Sequence, residues 1–183
     1  MATTKERSLE AGVALLGEEG IRALTHARID TRAELPAGST SNWFRTRRAL
    51  LAGVVNHIAE SERADADPSA LPVLTAPAQL AELLVHMLEV QSGPLAVRTR
   101  ARYALFLEVG ADEELGEPLR RQRVAFADWT ERIVRDVGIA DPVPAARALM
   151  ALCDGLLLHR LTVDPALVIR PVIERTVHDL TRS

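Results

Sequence analysis

Residues 25–44 read THARIDTRAELPAGSTSNWF, and the fold turns on this stretch. Thr25 stands where an N-cap belongs, and Arg28, Ile29 and Arg32 follow at helical spacing. Pro36, a residue favoured in the first turn of a helix, predicts a second short helix starting near it. Ala37, Gly38, Ser39, Thr40 and Asn42 give that helix a small, polar face, while Ile29, Ala33 and Leu35 point inward. The pattern suits a helix-turn-helix, in which one helix crosses the phosphate backbone and the next enters the major groove. Ala37 or Thr40 fits a thymine methyl, and Asn42 an adenine or a phosphate. Phe44 reads as core, and Trp43 as either core or contact. The competing reading is a plain helical hairpin with a solvated face.

The rest of the chain is patterned for helices. Apolar residues recur at three and four rather than two, and aromatics make up only 3%. A first helix is expected over about Thr4–Glu19, with Leu9, Val13 and Leu16 on one face and Gly20 as its stop. Thr46 caps a fourth that runs to about Arg63, after which residues 64–77, ADADPSALPVLTAP, break helical patterns with three prolines. Five more are expected over about 76–91, 94–110, 112–137, 142–161 and 170–182. The fold class is therefore all-α, with a three-helix helix-turn-helix domain over 1–46 and a six-helix effector-binding and dimerisation domain over 47–183. No internal repeat or low-complexity tract is present.

The chain has 183 residues, 48% of them apolar, enough to bury a sizeable core, and its net charge of -3 argues against nucleic acid as a partner. The distribution reverses that impression. Residues 1–50 are net +2 and the remainder -5, and between 21 and 48 six arginines face only Asp30 and Glu34. Lys5 is the sole lysine, so arginine usage reflects a bias of the whole chain and no single arginine marks a phosphate site. The lone Cys153 excludes an internal disulfide and points to a reducing compartment. There is no apolar run of membrane-spanning length, and the start MATTKERS is polar; a cytoplasmic protein without a membrane partner is expected.

In the second half, Leu119, Gln122, Phe126, Trp129 and Ile133 fall on one helical face, with Gln122 its only polar member. With Met87, Val90, Tyr103 and Phe106 they line a candidate ligand cavity, or else form ordinary core. The segment ARALMALCDGLLLHRL is apolar nearly all round and must be covered on both sides. Leu149, Leu152 and Leu156, joined by Ile173, Val177 and Leu180, are the candidate dimer contacts. Asp154 interrupts this segment, and either meets a ligand or pairs with an arginine such as Arg147 or Arg160. Glu82, His86 and Glu89 share a helix face and form a conceivable metal site, but they lie opposite Leu80, Leu84 and Met87, where a solvated face is the simpler reading. No Gly-rich phosphate loop, nucleophile elbow or HExxH is present, so neither an enzyme, a cofactor nor a metal is expected.

Leu24-Thr25, Leu35-Pro36-Ala37-Gly38-Ser39 and Trp43-Phe44-Arg45-Thr46-Arg47-Arg48-Ala49-Leu50, in this order, resemble the signature of the tetracycline-repressor (TetR) family. The resemblance covers about 45 residues; the remainder matches in helix order and length. It implies a regulator that binds operator DNA as a homodimer, with isologous packing of the closing helices, and releases it when a small effector enters the helical body. Repression is the mode it implies. Residues Pro36 to Trp43 would contact DNA, and Arg47, beside the amides of the fourth helix, would bind phosphate. Thr25 and Arg28 complete the expected interface. Two positions depart from the family: Glu34 replaces the usual turn glycine, and Arg48 a usual acidic residue, adding phosphate affinity. A dimerising helical module without DNA binding is the alternative that the C-terminal half alone permits.

Overall fold

The computed structural model describes residues 2–65 and 73–182. Among them are nine α-helices and no strand: α1 (Thr4–Glu19), α2 (His26–Arg32), α3 (Ser39–Trp43), α4 (Arg47–Asp65), α5 (Pro77–Ser92), α6 (Ala96–Val109), α7 (Glu113–Asp136), α8 (Pro142–Thr162) and α9 (Arg170–Leu180). A single 3-10 turn, Ile21–Ala23, separates α1 from α2. The all-helical class is as expected, and most helix ends fall within two residues of their sequence-based positions. Residues 66–72 of the proline-rich connection lie outside the described residues.

Local chemistry sets the ends. Thr3 and Glu6 form a reciprocal cap on α1, each side chain bonding the other's backbone amide at 3.2 and 2.7 Å. Thr46 accepts the Ala49 amide at the start of α4, and Gln79 accepts those of Thr75 and Ala76 at the start of α5. The third helix departs from expectation, since it begins at Ser39 and leaves Pro36 in the preceding turn. The reason is Gly38, whose φ of 87° lies in the left-handed region and prevents the helix from extending back to the proline.

The packing divides the chain into two compact units. The first joins residues 2–65 to 97–122. The boundary expected at 46/47 follows the end of the helix-turn-helix; the packing instead groups α4 with α1–α3. Leu50, Val54, Val55 and Ile58 of α4 share one core with Leu9, Leu16, Leu24 and Ile29. Phe44 belongs to that core, its ring so close to Gly53 that any side chain there would collide with it. Leu105 and Leu119 extend the core, and a nearly buried ion pair, Arg102–Glu62 at 2.7 Å, ties α6 to α4.

In the second unit, residues 73–96 and 123–182, α5 packs on α8 and α9. Leu80, Leu84, Val85 and Leu88 of α5, Leu149 and Leu157 of α8, and Ile173 and Val177 of α9 are buried. This corrects three of the expected dimer contacts. Leu149, Ile173 and Val177 are used up inside the protomer, while Leu152, Leu156 and Leu180 are half-buried. The residues of α8 left exposed at steps of three and four are Ala148, Ala151, Gly155, Leu158 and Thr162. Arg170 of α9 grips both carboxylate oxygens of Glu82, so the face carrying Glu82, His86 and Glu89 is solvated and part of it is engaged in an ion pair. No helix among the described residues is long and apolar enough to cross a membrane.

Candidate nucleic-acid interface

The five-residue α3 has no side-chain cap of its own; a carboxylate from α2 supplies one. Asp30, 4% exposed, accepts the Gly38 amide at 2.8 Å, the Thr40 amide at 2.8 Å and the Thr40 hydroxyl at 2.6 Å. Burial pushes this carboxyl up, but the bonds from the Thr40 hydroxyl and the two amides, with His26 nearby, hold it below its ordinary value. The other end of α3 is fixed by His26, whose Nε2–H donates to the Phe44 carbonyl at 2.6 Å. A helix too short to be stable alone is thus held at both ends by α2.

The turn between the two helices carries strain. Glu34 has φ 52°, a left-handed conformation unusual for any residue but glycine, and Arg7 of α1 donates to the Ala33 and Glu34 carbonyls to hold it. The Glu34 side chain is exposed, so Glu34→Gly relieves the backbone and removes no packing. The expected outcome is a gain of about 1 kcal/mol, read as a rise of about 2–4 °C in the melting temperature.

Pro36, Ala37, Gly38, Asn42 and Trp43 are exposed, Trp43 by 55%, and Ser39 is half-buried with its hydroxyl donating to the Pro36 carbonyl. Thr40 corrects the expectation of a groove contact. It is fully buried and its hydroxyl is spent on Asp30, so it holds the helix rather than meeting a base. Thr25 is exposed and caps α2 by accepting the Arg28 amide at 3.4 Å.

The arginines are less free than their local count suggests. Arg28 pairs with Glu19 and Arg32 with Glu18, both acids of α1. Arg47 donates to the carbonyls of Leu24 at 2.8 Å and Ile21 at 3.2 Å, binding the start of α4 to the 3-10 turn. Arg48, expected to add phosphate affinity, is engaged by Asp112 and Glu114. The Arg48 hydrogen bond, with that of the Leu115 amide, holds the Asp112 carboxyl down to about 2. Arg22 and Arg45 are exposed and form no ion pair among the described residues. Arg45, directly after Trp43-Phe44, is an exposed cation beside the candidate interface that the sequence reading passed over. An open groove of about 350 Å³ between α1 and α2 is lined by Leu15, Glu19, Ala27, Arg28, Thr31 and Arg32.

The eight expected ligand contacts are all half-buried, and they are divided between the units. Tyr103, Phe106 and Gln122 belong to the first, where Phe106 packs against the core. Met87, Val90, Phe126, Trp129 and Asp154 belong to the second. There the Phe126 and Trp129 rings lie 5.2 Å apart, and Asp154 pairs with Arg123 of α7 rather than with Arg147 or Arg160.

A capped and braced helix-turn-helix on an otherwise helical chain defines the class: an all-α protein built like the helix-turn-helix regulators. Residues 75–183 match the family profile described as tetracyclin repressor-like, C-terminal domain. The chain belongs to the TetR family of transcriptional regulators. Solved structures agree with this at the level of fold. A TetR-family member from Streptomyces coelicolor A3 is 23% identical with a TM-score of 0.74, covering 98% of each chain. A transcriptional regulator from Rhodococcus sp. Rha1 is 19% identical with a TM-score of 0.79, covering 98% of this chain and 97% of its own. The multidrug binding protein EbrR, complexed with ethidium, is 23% identical with a TM-score of 0.66, covering 97% and 98%. No curated protein matches the chain in sequence.

Proposed function

We propose that the protein is a repressor that binds a palindromic operator as a homodimer and leaves it when a small effector binds. The observation that supports this best is the exposed end of the helix-turn-helix. Asn42 and Trp43 of α3, with Pro36 and Ala37 in the turn before it, are presented to solvent, and Asp30 and His26 fix the two ends of the helix. A large indole left 55% exposed beside Asn42 suits stacking against sugar and phosphate with a polar group free for a base edge. Arg45 adds an exposed charge two residues on, and Thr25, Arg28, Ser39 and Arg47 complete the proposed contact set, Arg28 and Arg47 by exchanging their present partners, Glu19 and the Leu24 and Ile21 carbonyls, for phosphate.

The dimer contact proposed is the α8 seam of Ala148, Ala151, Gly155 and Leu158, with Val172 of α9. Small residues at heptad-like spacing allow two copies of the helix to approach closely, and Leu158 is 50% exposed in the protomer. For the effector, the second unit offers Met87, Val90, Phe126, Trp129 and the Arg123–Asp154 pair. An aromatic ligand would suit the ring pair; EbrR, for its part, was solved in complex with ethidium.

Arg47→Ala tests the interface. The variant is expected to bind all duplexes more weakly than the parent, and the slope of log affinity against log salt should flatten by about 0.9, one phosphate contact. Fluorescence anisotropy across a salt series, with the melting temperature followed in parallel, checks this. Unchanged affinity and slope would remove Arg47 from the interface.

A further inference from the structure

Arg48 is the second residue of α4, beside Arg47, and its side chain is half exposed. Its guanidinium already holds oxyanions. Nη1 and Nη2 donate to the two carboxylate oxygens of Asp112, and Nη2 donates to Glu114 Oε2 at 2.8 Å. A fork that closes on a carboxylate fits a phosphate in the same way. With two acids on one arginine the cluster is net negative, so it offers a DNA backbone no attraction.

Little of the fold depends on these charges. Asp112 accepts the Leu115 amide at 2.9 Å at the start of α7, a capping bond that asparagine keeps. The Glu114 side chain is 87% exposed. We propose that Arg48 is a second phosphate-binding residue held in reserve, and that Asp112 and Glu114 set the protein's DNA affinity by competing with phosphate for it. This rests on the reading of α3 and the start of α4 as the DNA face. It also inverts the usual expectation for an ion pair, because removing the acids strengthens function.

The test compares wild type, Asp112→Asn/Glu114→Gln, and the same double variant carrying Arg48→Ala. Each is titrated on a labelled mixed-sequence duplex of about 30 base pairs over a salt series. The double variant should bind about eightfold tighter at ~0.1 M salt with a slope steeper by ~0.9, the signature of one added phosphate contact. Adding Arg48→Ala should abolish both gains. Glu114→Gln alone, at an exposed site, should show a partial gain and guards against a folding defect in the double variant. Absence of any gain overturns the proposal; so does a gain that survives Arg48→Ala, which would mean that long-range charge alone is responsible. A wild type that fails to bind the duplex even at low salt strikes the DNA reading itself, and this proposal with it.

Discussion

Asp30→Ala should loosen the helix-turn-helix and cost the protein its DNA binding while the second unit remains folded. The carboxylate accepts three bonds in a nearly water-free position, and its removal strands the Gly38 and Thr40 amides at the start of a helix with no other cap. Hydrogen bonds to a buried charge are among the stronger ones, so a loss of about 3 kcal/mol is expected, read as a lower urea midpoint. Affinity for DNA should fall by more than tenfold, because α3 no longer holds its angle. A shift below about 0.5 kcal/mol would refute the cap. The pH dependence carries the same sign. Hydrogen bonds depress the folded-state value of Asp30 despite its burial, so its stabilisation is present above about pH 4 and is lost as pH falls through the folded value. The alanine variant should show a correspondingly weaker acid sensitivity.

On the dimer proposed above, Gly155→Arg should leave the protein a monomer and with it abolish the proposed operator binding. A side-chain carbon at Gly155 meets nothing within 4 Å in the protomer, so the substitution leaves the helix and its own core undisturbed. On a self-complementary seam the added charge is placed twice, against its own copy, with no room between small residues. Sedimentation should give a monomer mass, with the far-UV spectrum of the parent. A variant that remains a dimer moves the interface away from the α8 seam.

How much of this was legible in the sequence depends on whether the signal was local. Helix number, order and ends follow from periodicity and caps, which lie within a few residues of what they determine. The strained turn at Glu34 was legible too, because the resemblance marks a glycine position where this chain has a side chain. Thr40 was misread since its neighbours Ser41 and Asn42 are polar and exposed, and only the three-dimensional return of Asp30, ten positions earlier, turns its hydroxyl inward. A carboxylate following buried Ile29 was the available clue. The arginine count between 21 and 48 failed for the same reason: Glu18, Glu19, Asp112 and Glu114 reach in from outside the window. Leu149, Ile173 and Val177 were assigned to an interface because apolarity does not tell which side of a helix a neighbour covers; α5 covers that one.

On the function proposed, the chain reads DNA through the exposed end of α3 as a twofold pair. Selection of bound sites from a random duplex pool tests it most directly. The expected result is enrichment of a palindrome, its half-sites related by the dimer axis, and loss of that enrichment in a Trp43→Ala/Asn42→Ala variant that still dimerises. No enriched sequence from the wild type, or the same palindrome from the variant, would contradict it.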